Sequence, residues 1–293
     1  MLKRIVNNLI SDYRNRNEYK LFYAKYKSDL RRLQINADLK NKYEGKRCFI
    51  IGNGPSLNDM DLSLLKDEYT FTVNQFPRNK QFESVKTNFH LWADDRFFDI
   101  DENRPEDLEL LEVMKNVNTK KNRPLVFYSI CGRHMVEKFG LDKILEVRYF
   151  AQVNFQRERF LDRHGIDLTK ATCNYPTVVH MAIELAIYMG FKQIYLIGTD
   201  CTGFLTIAQS KMKAEADSYK YGYTVTENEK KRMERANNKF SISKELLYYS
   251  QMFTCYEILD SYANKIGVKL YNATPGGLLD SIERVEYMNV VRK

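Results

Sequence analysis

The run RCFIIGNGPS at residues 47–56 constrains this chain more than any other stretch, because an apolar segment gives way at once to glycine, asparagine, glycine, proline and serine. A short apolar run closed by turn residues reads as a strand buried on both faces. It ends where Gly52 and Gly54 leave the backbone bare, able to take positive φ and to let another molecule approach the main chain. Ser56 is the residue type of a helix N-cap, and Asp59 stands three positions later as its capping-box-like partner. A helix N-terminus offers free amides and partial positive charge, which suits a phosphate.

The pattern recurs. β-rich runs at 69–73, 87–93, 125–130, 193–197 and 267–271 alternate with helical stretches near 106–117, 133–146, 176–190 and 243–266. Strands alternating with helices predict an α/β fold, a Rossmann-like and mainly parallel sheet flanked by helices over residues 46–293. Residues 203–241 break the rhythm: they are charged, rich in Tyr and Lys, and too long for an ordinary connection. Following a strand's carboxyl end, such an insertion reads as a lid over a ligand. Residues 1–45 place Leu2, Ile5, Leu9 and Tyr13, then Leu21, Tyr26, Leu30 and Leu33, at near-helical spacing among basic residues. They read as an amphipathic helical arm, suited either to an anionic membrane surface or to packing on the domain or a second copy in a homo-oligomer.

Composition narrows the function. No apolar run reaches the roughly 18 residues of a membrane span, and the N-terminus lacks the pattern of a cleaved leader. A cytoplasmic protein, peripheral at the inner face of the membrane, is expected. Five scattered cysteines without a C-x-x-C pair indicate neither a disulfide framework nor a zinc site, and four unpaired histidines offer no metal-ligand spacing. The net charge of +8 suits an anionic partner such as a nucleotide. No nucleic-acid-binding signature accompanies it.

In open parallel sheets ligands bind outside the carboxyl ends of the strands. Three such ends carry polar turn residues: the glycine turn, Asn74-Gln75 after the second strand, and Gly198-Thr199-Asp200 after QIYLI. Asn174 and Pro176 have the residue types of an N-cap and first helical position for the stretch beginning near 176.

FIIGNGPSL, VNQF, MGFKQIYLIGTD and KIGVKLYNATPGGLL, in that order, resemble the bacterial sialyltransferases of glycosyltransferase family 42. They also resemble a broader set sharing the G-x-G-P-S-L start, which includes motility-associated nonulosonic acid transferases and a pterin diphosphokinase. The resemblance covers roughly residues 46–280. It implies a Rossmann-like, GT-A-like domain with a lid that binds a CMP-activated sugar acid. It places Gly52, Asn53, Gly54, Pro55 and Ser56 along the donor's phosphate and ribose, and Asn74 in contact with the donor. Thr177 falls at the family's helix start, Gly198 and Asp200 beneath the lid, and Asn272, Thr274 and Gly276 beside the same pocket. The chain departs from the family at its histidine base, which is missing from KELLYYSQMFTCYEIL. It has Tyr175 for an arginine, Val178 for a serine, and Tyr219, Tyr221 and Tyr223 as stand-ins for the lid tyrosines.

Glycosyl transfer with inversion needs a base for the acceptor hydroxyl and stabilisation of the leaving phosphate. Asp94 and Asp95 after the third strand are paired carboxylates suited to a base, or to magnesium if the donor is a diphosphate. His180, one turn before Glu184, has the spacing of an oriented base, and His134 beside Arg133 could grip a phosphate or an acidic acceptor. Arg133, Lys211 and Lys213 are candidate leaving-group stabilisers, while His90 and His164 read as structural. The reading is a glycosyltransferase moving a nucleotide-activated sugar to a surface polysaccharide, glycan or lipid-linked acceptor, needing no metal if the donor is CMP-linked. The alternatives are magnesium-dependent diphosphoryl transfer from ATP to a small alcohol, and a nucleotide-binding protein without catalysis.

Overall fold

A computed structural model describes the backbone of residues 2–213, 220–236 and 241–292, and the side chains of 6–212, 220–235 and 241–292. The elements run α1 (Leu2–Tyr26), β1 (Arg47–Ile51), β2 (Tyr69–Val73), β3 (Phe89–Trp92), α2 (Pro105–Lys115), β4 (Leu125–Ser129), α3 (Arg133–Lys138), β5 (Glu146–Val153) and α4 (Arg157–His164). They continue with β6 (Ala171–Cys173), α5 (Val178–Tyr188), β7 (Gln193–Ile197), α6 (Gly203–Lys213), α7 (Glu227–Ala236), α8 (Ile242–Lys265), β8 (Lys269–Asn272) and α9 (Tyr287–Val291). Short 3-10 turns make most of the remaining connections.

The eight strands form one sheet in the order β6-β5-β4-β3-β2-β1-β7-β8, and every pairing is parallel. The chain starts at β1, builds outward to β6, and returns along α5 beneath β1, β2 and β3 to lay β7 on the other side of β1. The α/β Rossmann-like fold therefore has its topological switch point between β1 and β7, where open sheets hold their ligands.

Alternation within β1 shows why these residues form a central strand. Cys48 and Ile50 point into a core shared with Phe71, Val73, Ile194 and Leu196, under α5 and α8. Phe49 and Ile51 point to the other face, among Leu57, Leu62, Phe76, Tyr195, Ile197 and Tyr287. Truncating an isoleucine, leucine or phenylalanine among these to alanine costs about 2–5 kcal/mol. That second face is covered beside β1 and β2 by 3-10 turns at Pro55–Asp59, Leu62–Leu65, Phe76–Arg78 and Phe82–Ser84.

The fold departs from the sequence expectations in two places. The helix expected over 133–146 stops at Lys138, because Gly140 takes φ 64° and turns the chain into a second, short 3-10 helix. β5, α4 and β6 follow where the sequence pattern predicts no element. Arg148 in mid-β5 disguises an otherwise apolar strand; it is buried and donates to Ile35 O and the Asp38 carboxylate at 2.8–3.2 Å.

α1 leans on α4. Asp12 meets Arg159 and Arg163, Asn15 accepts from the Gln156 amide, and Tyr19 stacks on Phe155. Leu9, Tyr13 and Leu21 on the same helix stay exposed. No described helix is long and apolar enough to cross a membrane.

Candidate active site

The bare backbone at Gly52 and Gly54 is met by the protein itself. A Cβ on Gly52 would lie 2.4 Å from Gly198 O, and one on Gly54 would lie 1.8 Å from Asp200 Oδ2 and 2.7 Å from Gly198 O. The amides of Gly52 and Gly54 donate to Ile197 O and Gly198 O, both at 2.8 Å. Asp200 accepts from the Ser56 amide at 3.0 Å and from its hydroxyl at 2.8 Å. Burial pushes the Asp200 carboxyl above its ordinary range, partly offset by those two bonds.

Two expectations change accordingly. Ser56 is not the N-cap: Gly54 holds that position before a 3-10 helix of five residues, Pro55–Asp59, and Ser56 is turned toward Asp200 instead. The amides of Gly52, Gly54 and Ser56, expected to cradle a phosphate, are already paired within the chain. A phosphate would have to displace a carboxylate to reach Ser56. The glycines serve first to let the ends of β1 and β7 touch.

The open hydrogen-bonding capacity lies one residue over. Asn53 donates through Nδ2 to Val73 O at 2.9 Å, and its Oδ1 is buried without a partner. Asn74, at the end of β2, has φ 48° and donates its amide to Leu91 O at 2.9 Å; its Oδ1 is likewise buried without a partner. Asn is among the few residues that tolerate left-handed backbone. Across the switch point Cys201 takes φ 55°, a conformation with no such excuse, and burial pushes its thiol up to about 12. Residues held in sparsely populated backbone conformations cluster at functional sites.

The described part of the 203–241 insertion covers this edge. Gly222 donates its amide to Asn53 O at 2.9 Å, and the carboxamide of Asn79 donates to Gly222 O. A Cβ on Gly222 would sit 2.7 Å from Gly54 O. Tyr221 and Tyr223 stack at 5.0 Å. Tyr219 lies outside the described residues, as does the side chain of Lys213.

α7 then latches to α2. Thr226 caps α7 by accepting the Glu229 amide at 3.1 Å, and its hydroxyl donates to Glu109 at 2.6 Å. Gln75 donates to Glu229, Arg232 lies 3.3 Å from the same carboxylate, and Arg235 binds Glu106 and Asp107 at 2.6 and 2.5 Å. Arg78 pairs with Glu109 at 2.6 Å. Sequence reading missed this latch, although T-x-x-E at Thr226 and Glu229 is a capping box in plain view.

The expected catalytic groups fare differently. Asp94 caps the 3-10 turn Asp95–Phe97 and takes a bidentate contact from Arg96. Burial opposes its ionisation, but the Arg96 bonds and charge outweigh this and hold it below the usual carboxylate range. Asp95 is exposed beside it and makes no salt bridge among the described residues. His134 is exposed, and its Nε2 faces an Arg133 Nη2 at 3.0 Å. Arg133 itself is committed to Asp29 and Glu137, so it offers no unspent charge to a leaving group.

His180 is fully buried, with Nδ1 2.8 Å from the Thr177 hydroxyl and Nε2 without a partner, and burial lowers its pKa to about 3. It does not pair with Glu184, which instead accepts from Thr172 and Tyr175 hydroxyls, each at 2.6 Å. Burial raises Glu184 to about 7. His90 is bound to Thr72 within the sheet at 2.7 Å.

Asn174 is not a helix cap: its carboxamide donates to Asn154, and Pro176 precedes the helix rather than opening it. Thr177 occupies the cap position of α5, with its hydroxyl spent on His180. Tyr248 of α8 ties this corner to the Asp94–Arg96 turn, donating to Pro176 O at 2.8 Å while feeling the charges of both residues. On the far side, Asn272 Oδ1 accepts the Thr274 amide, and Thr274 Oγ1 accepts the Thr199 amide. These two residues brace the β7 end. Gly277, with φ 79°, packs on Asp200, whereas Gly276 faces open space.

A model of the family described as 6-hydroxymethylpterin diphosphokinase MptE-like matches residues 97–203, from the turn after β3 to the first residue of α6. No curated protein sequence matches. Among solved structures, the chain is similar to the MAf glycosyltransferase from Magnetospirillum magneticum AMB-1, with 16% identity and a TM-score of 0.45 over 87% of this chain. The similarity spans 38% of that protein's length.

Proposed function

We propose that this chain is a glycosyltransferase whose donor, a CMP-activated sugar acid of the sialic acid type, binds across the ends of β1, β2 and β7. The observation that carries the reading is the pair of unpartnered amide oxygens, Asn53 Oδ1 and Asn74 Oδ1, on the adjacent ends of β1 and β2, beside the switch point. Buried acceptors left unpaired cost about 1–3 kcal/mol each, so the site is built to receive donors. A ribose diol supplies two, and cytosine adds an exocyclic amine that uracil lacks. The 220–236 segment is the lid, already resting on Asn53 through Gly222. Asp95 is the base for the acceptor hydroxyl, since Asp94 is spent on Arg96 and His180 is sealed away. The acceptor is a surface polysaccharide, glycan or lipid-linked sugar. The exposed face of α1 is the part that would lie on an anionic membrane or a second copy.

One observation favours a second reading, diphosphoryl transfer from ATP to a small alcohol: the match of residues 97–203 to the pterin diphosphokinase-like family. That chemistry calls for magnesium. Asp94 and Asp95 do not fit it as they stand, because both Asp94 oxygens are held by Arg96.

Thermal melting with CMP, CDP, UDP, GDP and ATP, each with and without magnesium, separates the readings, since a ligand of the native state raises the melting temperature by mass action. Stabilisation by CMP without metal is expected, followed by turnover of a CMP-sugar that Asp95→Asn abolishes while binding persists. Stabilisation only by ATP with magnesium favours the second reading. CMP binding with no turnover of any donor leaves a nucleotide-binding protein without catalysis.

A further inference from the structure

The opposite edge of the sheet carries a second site. The segments entering β3, β4 and β5 enclose, with the stretch before β1, a cavity of about 410 Å³. Lys42, Lys86, Lys120, Lys121, Arg123 and Arg148 line it, against a single carboxylate, Glu146. Arg148 is neutralised by Asp38; the other five cations form no salt bridge among the described residues. A strand of five residues spans roughly 16 Å, so this edge is well separated from the carboxyl edge.

The cluster is held in place rather than merely solvated. Asn122, 1% exposed, accepts the Thr87 amide at 2.9 Å and donates to Phe82 O at 3.2 Å. Its carbonyl takes the Thr119 amide at 2.7 Å. One buried carboxamide thus pins the 119–123 loop, with its three cations, against the 86–88 loop. Thr87 lines the cavity; it is 3% exposed, and its hydroxyl has no partner. A concave surface of one sign focuses the field and concentrates counter-ions. The unpaired hydroxyl that Thr87 carries into the cavity wall is a hydrogen-bonding group that a solvated lysine patch lacks.

We propose that this cavity binds a phosphate group carrying two or more negative charges, as in a diphosphate or a phosphomonoester. The inference does not rest on the reading of the carboxyl edge. The group can come from a soluble compound or from a lipid headgroup, and the lysines at the rim are open to either.

Titration calorimetry of the full chain in metal-free buffer, with inorganic pyrophosphate, and co-sedimentation with phosphatidic acid vesicles against phosphatidylcholine vesicles, test it. Pyrophosphate or phosphatidic acid binding is expected to weaken at least tenfold in Lys120→Glu/Lys121→Glu and three- to tenfold in Thr87→Val, with melting temperatures held near that of the wild type. The arm that responds identifies the source. Binding of neither probe overturns the proposal, and so does binding of either that both variants retain within twofold. Should the double variant unfold, Lys121→Gln with Thr87→Val reads the same loss without reversing charge.

Discussion

The carboxylate of Asp200 accepts both the amide and the hydroxyl of Ser56, at 3.0 and 2.8 Å, and so closes the crevice between β1 and β7 that an open sheet usually reserves for a ligand's phosphate. The space for this contact exists only because residue 54 has no side chain. Gly54→Ala drives a methyl to 1.8 Å from Asp200 Oδ2 and 2.7 Å from the fixed Gly198 carbonyl. Urea denaturation of Gly54→Ala should show a loss of about 3 kcal/mol or more, in the range of severe packing strain. Adding Asp200→Ala should restore only part of it, because the backbone contact remains. A Gly54→Ala protein of wild-type stability would show that the strand ends part freely.

Glu184 makes stability depend on pH. Its folded pKa is raised by burial to about 7 from an ordinary 4.5, so between those values the folded chain holds a proton that the unfolded chain releases. Stability from this group is complete below pH 4.5 and is lost as pH rises through 7, on the order of 3 kcal/mol in total. Denaturation midpoints at pH 5 and 8 should fall across that interval for the wild type. Glu184→Gln keeps hydrogen-bonding capacity toward Thr172 and Tyr175 and should flatten the slope. Parallel pH profiles for the two proteins would reject the assignment.

The sheet was largely legible because β1, β2 and β7 are apolar runs between turn residues, buried on both faces. β5 was hidden by Arg148, whose charge is cancelled by Asp38 some hundred residues away in sequence, a pairing no local pattern reveals. The site was legible at the level of strand ends and not of bonds. Gly52, Gly54 and Asp200 read as ligand contacts from the sequence, while in the fold Gly54 packs on Asp200 and Gly52 on Gly198. Asn74 reads as a ligand contact both from its place at a strand end and from the resemblance, but its left-handed backbone has no sequence signature. Glu184 reads as a partner for His180 by helical spacing, but Thr172 and Tyr175 reach its carboxylate first.

The latch on α7 should govern local opening. Arg235 binds Asp107, whose side chain is 1% exposed, and Glu106 beside it. Removing one partner of a buried charge costs more than the net worth of the pair, because the other is left without compensation. Arg235→Ala should therefore raise amide hydrogen exchange at Gly222 and Glu229 by tenfold or more, while the β1 amides, protected by global stability, change little. Equal acceleration at both places would mean that α7 unfolds only with the whole chain.

Asn74 separates stability from binding. At φ 48° the asparagine is tolerated rather than preferred, and its Oδ1 lies buried without a partner. Glycine takes this backbone freely and removes the unsatisfied oxygen, which is worth about 1 kcal/mol or more on desolvation alone, against a smaller entropic cost in the unfolded chain. Asn74→Gly should melt at or above the wild-type temperature, yet lose most of the shift that the nucleotide induces, in keeping with a site kept strained for its ligand. Asn74→Ala removes the same oxygen but keeps a Cβ in left-handed backbone, so it should lose both. If Asn74→Gly retained the full nucleotide-induced shift, the oxygen would have no part in binding. If it melted well below the wild type, the asparagine side chain would be a structural brace through contacts other than hydrogen bonds to Oδ1.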